Sequence, residues 1–145
     1  MTTQTLNPGI PAAPAAPVDQ SLITYTHVIY GLHAFAVVMG ILTTATTVVG
    51  GFIFSVPSII AVIMNYARRS EVRGTWLESH FNWQIRTFWF AVLWALSIGF
   101  FSVPLMLVVV GFVTWYVGAL ILGGWIVYRV ARGWNALNDR RQMYV

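Results

Sequence analysis

The sequence predicts an all-α integral membrane protein with four transmembrane helices in two hairpins, and three observations carry that prediction. Of 145 residues, 58% are hydrophobic and 8% charged, whereas a soluble domain has about 25% charged residues. The chain lacks the polar side chains to cover a globular surface in water. Its apolar tracts reach the roughly 20 residues that a helix needs to cross the hydrocarbon core. All eight basic residues are arginines, and they flank those tracts, the pattern of orientation signals and phosphate-headgroup contacts. Membrane lipids are therefore the expected partner for the net charge of +4, and nucleic acid is not. The absence of cysteine excludes disulfides, thiolate catalysis and Cys-ligated metal.

Residues 1–21 read as a disordered Pro/Ala-rich tail. Pro8, Pro11, Pro14 and Pro17 recur every third residue, which would align their rings on one edge of a polyproline II segment for a Pro-recognising partner. A solvated tail is the simpler reading. No Lys or Arg precedes the first apolar run, contrary to a cleaved secretory signal.

Residues 22–128 are expected to form the transmembrane domain. The tract from Leu22 to Tyr66 is too long for one crossing and divides at Thr43-Thr44-Ala45-Thr46-Thr47. The spans so defined, Leu22–Leu42 and Val48–Tyr66, each reach roughly 30 Å. Pro57 should kink the second, leaving a carbonyl for Ser55, Ser58 or a neighbouring helix. Ala67–Ser79, with Arg68, Arg69, Glu71, Arg73 and Glu78, reads as a loop. A third span follows over His80–Phe101, Pro104 marks a tight turn, and a fourth runs over Leu105–Tyr128. Residues 129–145 form a basic tail for the headgroup region.

The loop and the tail hold seven of the eight arginines, and Arg86 lies about two turns from the loop. The positive-inside rule places both segments, and with four crossings the N-terminus, in the cytoplasm. Trp76, Trp83, Trp125, Tyr128 and Trp134 gather near that boundary. Trp94, Trp115 and Tyr116 fall at depth and read as packing residues.

No ionisable residue lies near the midplane, against a proton pump, an ion-coupled carrier or a voltage sensor. In Glu78-Ser79-His80-Phe81-Asn82-Trp83-Gln84-Ile85-Arg86, the residues Glu78, Asn82, Ile85, Arg86 and Trp89 follow helical steps, so that face should turn inward or toward headgroups. Asn82, Gln84 and Arg86 are the expected interhelical or headgroup contacts; a polar vestibule for a ligand is the alternative. His27 and His33 sit about 240° apart on a helix and cannot easily converge on one ion. A metal or haem site from His33, His80 and Glu78 is a weaker alternative to interfacial histidines, because no ligand spacing supports it. Ala36, Gly40 and Thr44, and likewise Ala119 and Gly123, recur at four-residue spacing and would let helices approach closely. No nucleophile–base pair or phosphate loop is recognisable, so neither an enzyme nor a cofactor is expected.

Asn82-Trp83-Gln84 after a charged loop resembles a family of small bacterial integral membrane proteins of unknown function, related to the Tic translocon subunit of chloroplast inner envelopes and to the magnetosome membrane protein MamF. Its pattern at the third span is an acidic residue, two small or apolar residues, then Asn, an aromatic and Gln. Here Ser79 holds the acidic position and Glu78 comes one residue early. Ala131 and Gly133 resemble the small residue and Gly that close the family's last span, without its Tyr-Pro ending. The resemblance spans about residues 25–135 and implies a helical membrane protein without known catalysis. The expected function is a structural, assembly or scaffolding component of the bacterial inner membrane, self-associating or joined to a larger complex. A small channel or uncoupled transporter for a neutral or anionic solute is the alternative.

Overall fold

In a computed structural model, residues 17–44 and 56–143 are described, and among them every regular element is helical. The order is α1 (Gln20–Thr44), α2 (Val56–Ala67), α3 (Leu77–Leu105), a 3-10 turn (Met106–Val108) and α4 (Val110–Asn138). Three of these helices are long and apolar enough to cross a membrane, and α2 is a shorter apolar helix. The α3–α4 pair is a helical hairpin with the most extensive contact in the molecule, and α1 packs between α2 and α4.

The first helix starts because Asp19 caps it. Its carboxylate accepts the Ser21 N–H at 2.9 Å and the Ser21 hydroxyl at 2.8 Å, satisfying donors a helix start leaves over. Those bonds hold the Asp19 carboxyl below its ordinary pKa, the backbone bond most of all. The helix thus begins two residues earlier than the expected span and continues through Thr43 and Thr44. Pro57 lies in α2, but Ser55 and the other residues before Val56 that a kink would involve, the rest of the expected break and tail residues 1–16 lie outside the described residues.

The Ala67–Ser79 segment is a series of turns rather than a free loop. Gly74, at φ 72°, takes a left-handed conformation that glycine adopts without a Cβ penalty, and its N–H bonds to the Glu78 carboxylate at 2.9 Å. Val72 is fully buried and anchors the segment to the core. Arg68 binds Glu71 through two hydrogen bonds, and this holds the Glu71 carboxyl below its usual range. The third helix starts at Leu77, earlier than His80, with Glu78 in its first turn, where a negative charge suits the helix dipole.

Two expectations about the hairpin are corrected. Pro104 is not the turn, because its fixed φ is compatible with a helix and α3 runs through it. The chain reverses at Val109, a non-glycine residue at φ 65°, and Gly111 permits the reversal, since a Cβ there would collide with the backbone of Ser102 and Met106. The fourth helix then continues past Tyr128 to Asn138, so Arg129 and Arg132 are helical residues and not part of a tail. Its end has the double reverse bond of a Schellman cap, Arg140 N–H to Leu137 O at 3.0 Å and Arg141 N–H to Ala136 O at 2.9 Å, with Arg140 in the left-handed position usually held by Gly. This cap turns residues 141–143 back onto the start of α3.

The buried cluster sits at one end of the bundle, built from Ile29 and Tyr30 of α1, Ala61 of α2, Leu77 and Phe81 of α3, and Leu137 of α4. Toward the other end the helices meet mainly where glycine permits it: a Cβ at Gly118 would press on Ile98, and one at Gly123 on Ile41.

Candidate functional site

Five polar side chains, Tyr30, His80, His27, Trp134 and Ser79, lock the buried end. The His80 Nε2 lies 2.8 Å from the Arg141 carbonyl, which can only accept, so Nε2 carries the proton. Nδ1 is then the acceptor for the Tyr30 hydroxyl at 3.1 Å. The histidine thereby joins α1, α3 and the returning C-terminal segment. Trp134 donates its indole N–H to His27 Nδ1 at 3.0 Å, and the Met143 N–H bonds to Ser79 Oγ at 3.0 Å. Tyr30 lies against Gly133, where a Cβ would run into its ring. The short helix is tied in by the Tyr25 hydroxyl, which donates to the Met64 carbonyl at 3.0 Å, and by Trp89 Nε1, 3.2 Å from the Tyr66 hydroxyl.

Beside this lock, between α1, α3 and α4, lies a cavity of about 450 Å³, within the size range of small-molecule sites. Its polar lining comprises Tyr30, His33, Ser58, Trp83, Gln84, Thr87, Tyr116 and Arg129, and the remaining walls are largely apolar. Arg129 is held rigidly: its guanidinium lies 3.6 Å from the centre of the Trp83 ring, its Nε donates to Thr87 Oγ1 at 2.8 Å, and Trp83 donates to its carbonyl at 3.1 Å. His33 Nδ1 is 3.0 Å from Ser58 Oγ. Gln84, close to the Tyr30 hydroxyl but outside hydrogen-bonding geometry, leaves both amide atoms without a partner. Arg129 Nη2 and His33 Nε2 are also buried and unbonded.

The expected contact residues separate. Gln84 faces the cavity, Asn82 accepts from Arg69 Nη2 at 3.1 Å, and Arg86 is exposed, 5.7 Å from the Phe90 ring. Of the face Glu78–Asn82–Ile85–Arg86–Trp89, expected to turn inward or toward headgroups, Ile85 is buried and Arg86 and Trp89 are exposed. The buried residues in this half of α3 are Leu77, His80, Phe81, Trp83, Gln84, Ile85 and Thr87, and the side that carries Arg86 stays outside, where its guanidinium need not be desolvated. His33 and His80 do not join with Glu78: both nitrogens of His80 are engaged, Glu78 serves Gly74, and among the described residues no three His, Cys, Asp or Glu could hold one ion. Trp94 is exposed rather than packed. The small-residue stripes serve two uses: Ala36, Gly40, Ala119 and Gly123 line the cavity, and Gly123 also makes the expected close contact, against Ile41. Thr44 lies at the end of α1, and its side chain is outside the described set.

Sequence reasoning missed two residues. Arg129, assigned to a tail, borders the cavity; the signal was Trp125, Tyr128 and Ile126 around it, which continue the helical pattern across the arginine. Asn65, fully buried with both amide atoms unpartnered, stands in an apolar stretch and gave no signal by spacing.

No family model, curated protein or solved structure matches the chain.

Proposed function

We propose that this protein is a non-enzymatic structural or scaffolding component of a bacterial inner membrane, crossing it four times with both termini and the 67–79 segment in the cytoplasm. One observation carries the reading. In their most apolar windows only 6% of the residues of α3 and 11% of those of α4 are buried inside the molecule, so a large apolar surface needs cover from lipid or from another protein. The orientation is supported by the gathering of arginines at the end where the 67–79 segment and the end of α4 meet. The scaffold role is supported by the polar lock, which fixes the helices relative to one another. The likeness of Asn82-Trp83-Gln84 to small bacterial membrane proteins without known catalysis agrees with this reading.

The test uses single cysteines in a chain that has none of its own. Gly74→Cys and Leu107→Cys are placed in intact membranes, together with a photo-crosslinking residue at Phe100, which is 75% exposed. The expected result is resistance to alkaline carbonate extraction, labelling of position 74 from the cytoplasmic side and of position 107 from the other, and a protein adduct at position 100. Extraction by carbonate, or labelling of both positions from one side, would overturn the membrane arrangement. Adducts to lipid alone would overturn the scaffold role.

A further inference from the structure

A buried polar atom without a partner is costly, and a guanidinium more so than an amide. The cavity between α1, α3 and α4 gathers four such atoms: both amide atoms of Gln84, Nε2 of His33 and Nη2 of Arg129. Gln84 is only 2% exposed and His33 only 7%, so bulk water does not serve them. Charge is uncompensated as well. The ion pairs among the described residues are Arg68–Glu71 and Arg141–Asp139, so no carboxylate among them pairs with Arg129, which has the cations Arg86 and Arg132 and the phenols Tyr30 and Tyr128 near it. The floor therefore lacks an anion and offers an amide and a guanidinium fixed by Trp83 and Thr87 to receive one.

The walls specify the rest of the ligand. Ala36, Gly40, Ala91 and Ala95 line the space away from the floor; their small side chains leave room and supply no polar group. Leu120 at its rim is 62% exposed, so the cavity borders the apolar outer surface of the bundle. A soluble anion would leave these walls empty. An anionic head joined to a hydrocarbon chain fits both parts.

We propose that this cavity is a binding site for an anionic phospholipid, its phosphate on Arg129 and Gln84 and an acyl chain along the small-residue walls of α1 and α3. The proposal rests on the membrane reading above, since the ligand is drawn from the bilayer. It also gives the small-residue stripe of α1 a role that helix contact does not supply.

Native mass spectrometry of the full chain in mild detergent tests it, with phosphatidylglycerol, phosphatidylethanolamine and glycerol phosphate as probes. Phosphatidylglycerol should bind at least tenfold more tightly than phosphatidylethanolamine, and glycerol phosphate should not bind measurably. Arg129→Gln should lose at least tenfold in phosphatidylglycerol affinity, whereas Arg132→Gln, whose guanidinium contacts the Tyr128 hydroxyl, should change it less than twofold. Ala91→Phe, which fills the apolar part and leaves every cation in place, should lose a similar factor and decides the matter if Arg129→Gln does not fold. Equal affinity for the two lipids, equal losses at Arg129 and Arg132, or full binding by Ala91→Phe would overturn the proposal, as would a copy of this chain in place of lipid. Binding of glycerol phosphate as tight as that of the lipid would identify a soluble anion and overturn it too. Carbonate extraction separates the two readings: a chain that stays in the membrane yet binds both lipids alike fails only as a lipid-specific site.

Discussion

At the end of the bundle where α1 begins and α4 finishes, Ile29, Tyr30, Leu77, Phe81 and Leu137 are almost wholly buried, whereas at the opposite end Phe100, Phe101, Leu107 and Ile121 lie open. The locked end is joined by side-chain bonds between elements far apart in sequence, through His80, Trp134, Ser79 and Trp83. At the open end one side-chain tie between helices is Ser102 with Thr114, 3.1 Å apart across the hairpin turn. In the membrane arrangement proposed above, the difference follows from solvent. Near an aqueous boundary, burial and directional polar contacts can both hold helices together, but in hydrocarbon apolar side chains gain little by leaving lipid, and close backbone approach takes over. Specificity is thus concentrated at one end, and the other end is left as surface.

The strongest way to break this comparison is His80→Leu. The change removes two bonds at once and leaves the Tyr30 hydroxyl and the Arg141 carbonyl without partners, at an expected cost of about 3 kcal/mol. Ser102→Ala at the open end should cost about 0.6 kcal/mol, the usual size of an interhelical hydrogen bond in a membrane. Unfolding in mixed micelles with increasing dodecyl sulfate measures both. Equal costs would mean that the two ends are held in the same way.

A second contrast uses glycines. At Gly133 a Cβ collides with Tyr30, whereas at Gly124 it meets nothing. Gly133→Ala should destabilise by about 1–3 kcal/mol through overpacking. Gly124→Ala should be neutral or stabilise by up to about 1 kcal/mol, the difference in helix propensity. The same micelle titration reads both, and a loss at Gly124 matching that at Gly133 would show that position 124 also sits against a neighbour.

How far the sequence could show this division depends on the kind of signal. Apolar length and charge spacing are local, so four helices and a polar segment between Ala67 and Leu77 were legible. The turn was placed too early because a proline attracts the eye, while the reversal at Val109 rests on Gly111 fitting beside Ser102 and Met106, a close approach that no composition reveals. The site was legible only in part. Gln84 was recognised as a polar residue in an apolar stretch, but its neighbours come from α1 and α4, and Arg129 was misread because an arginine next to a run of charges looks like a tail. Its guanidinium reaches inward only because Trp83, 46 residues away, stacks on it and bonds to its carbonyl.

The smallest expected effect sharpens the comparison from outside the buried core, at the exposed Arg68–Glu71 pair beside the locked end. The guanidinium holds the Glu71 carboxyl below its usual range, so the folded chain releases that proton more readily than the unfolded one. The resulting stability is present above the ordinary carboxylate range and is lost as the pH falls through that range toward the depressed value. Glu71→Gln cannot titrate, so wild type should melt slightly higher than the variant at about pH 6, and the gap should close by about pH 2. Asp19, whose carboxyl is lowered by the Ser21 bonds, contributes in the same direction in both proteins and cancels from the difference. Thermal midpoints in one detergent at the two pH values give the comparison. A gap that persists in acid would mean that the Glu71 side chain supports the turn by its shape or neutral hydrogen bonding, and that charge at this end serves orientation alone.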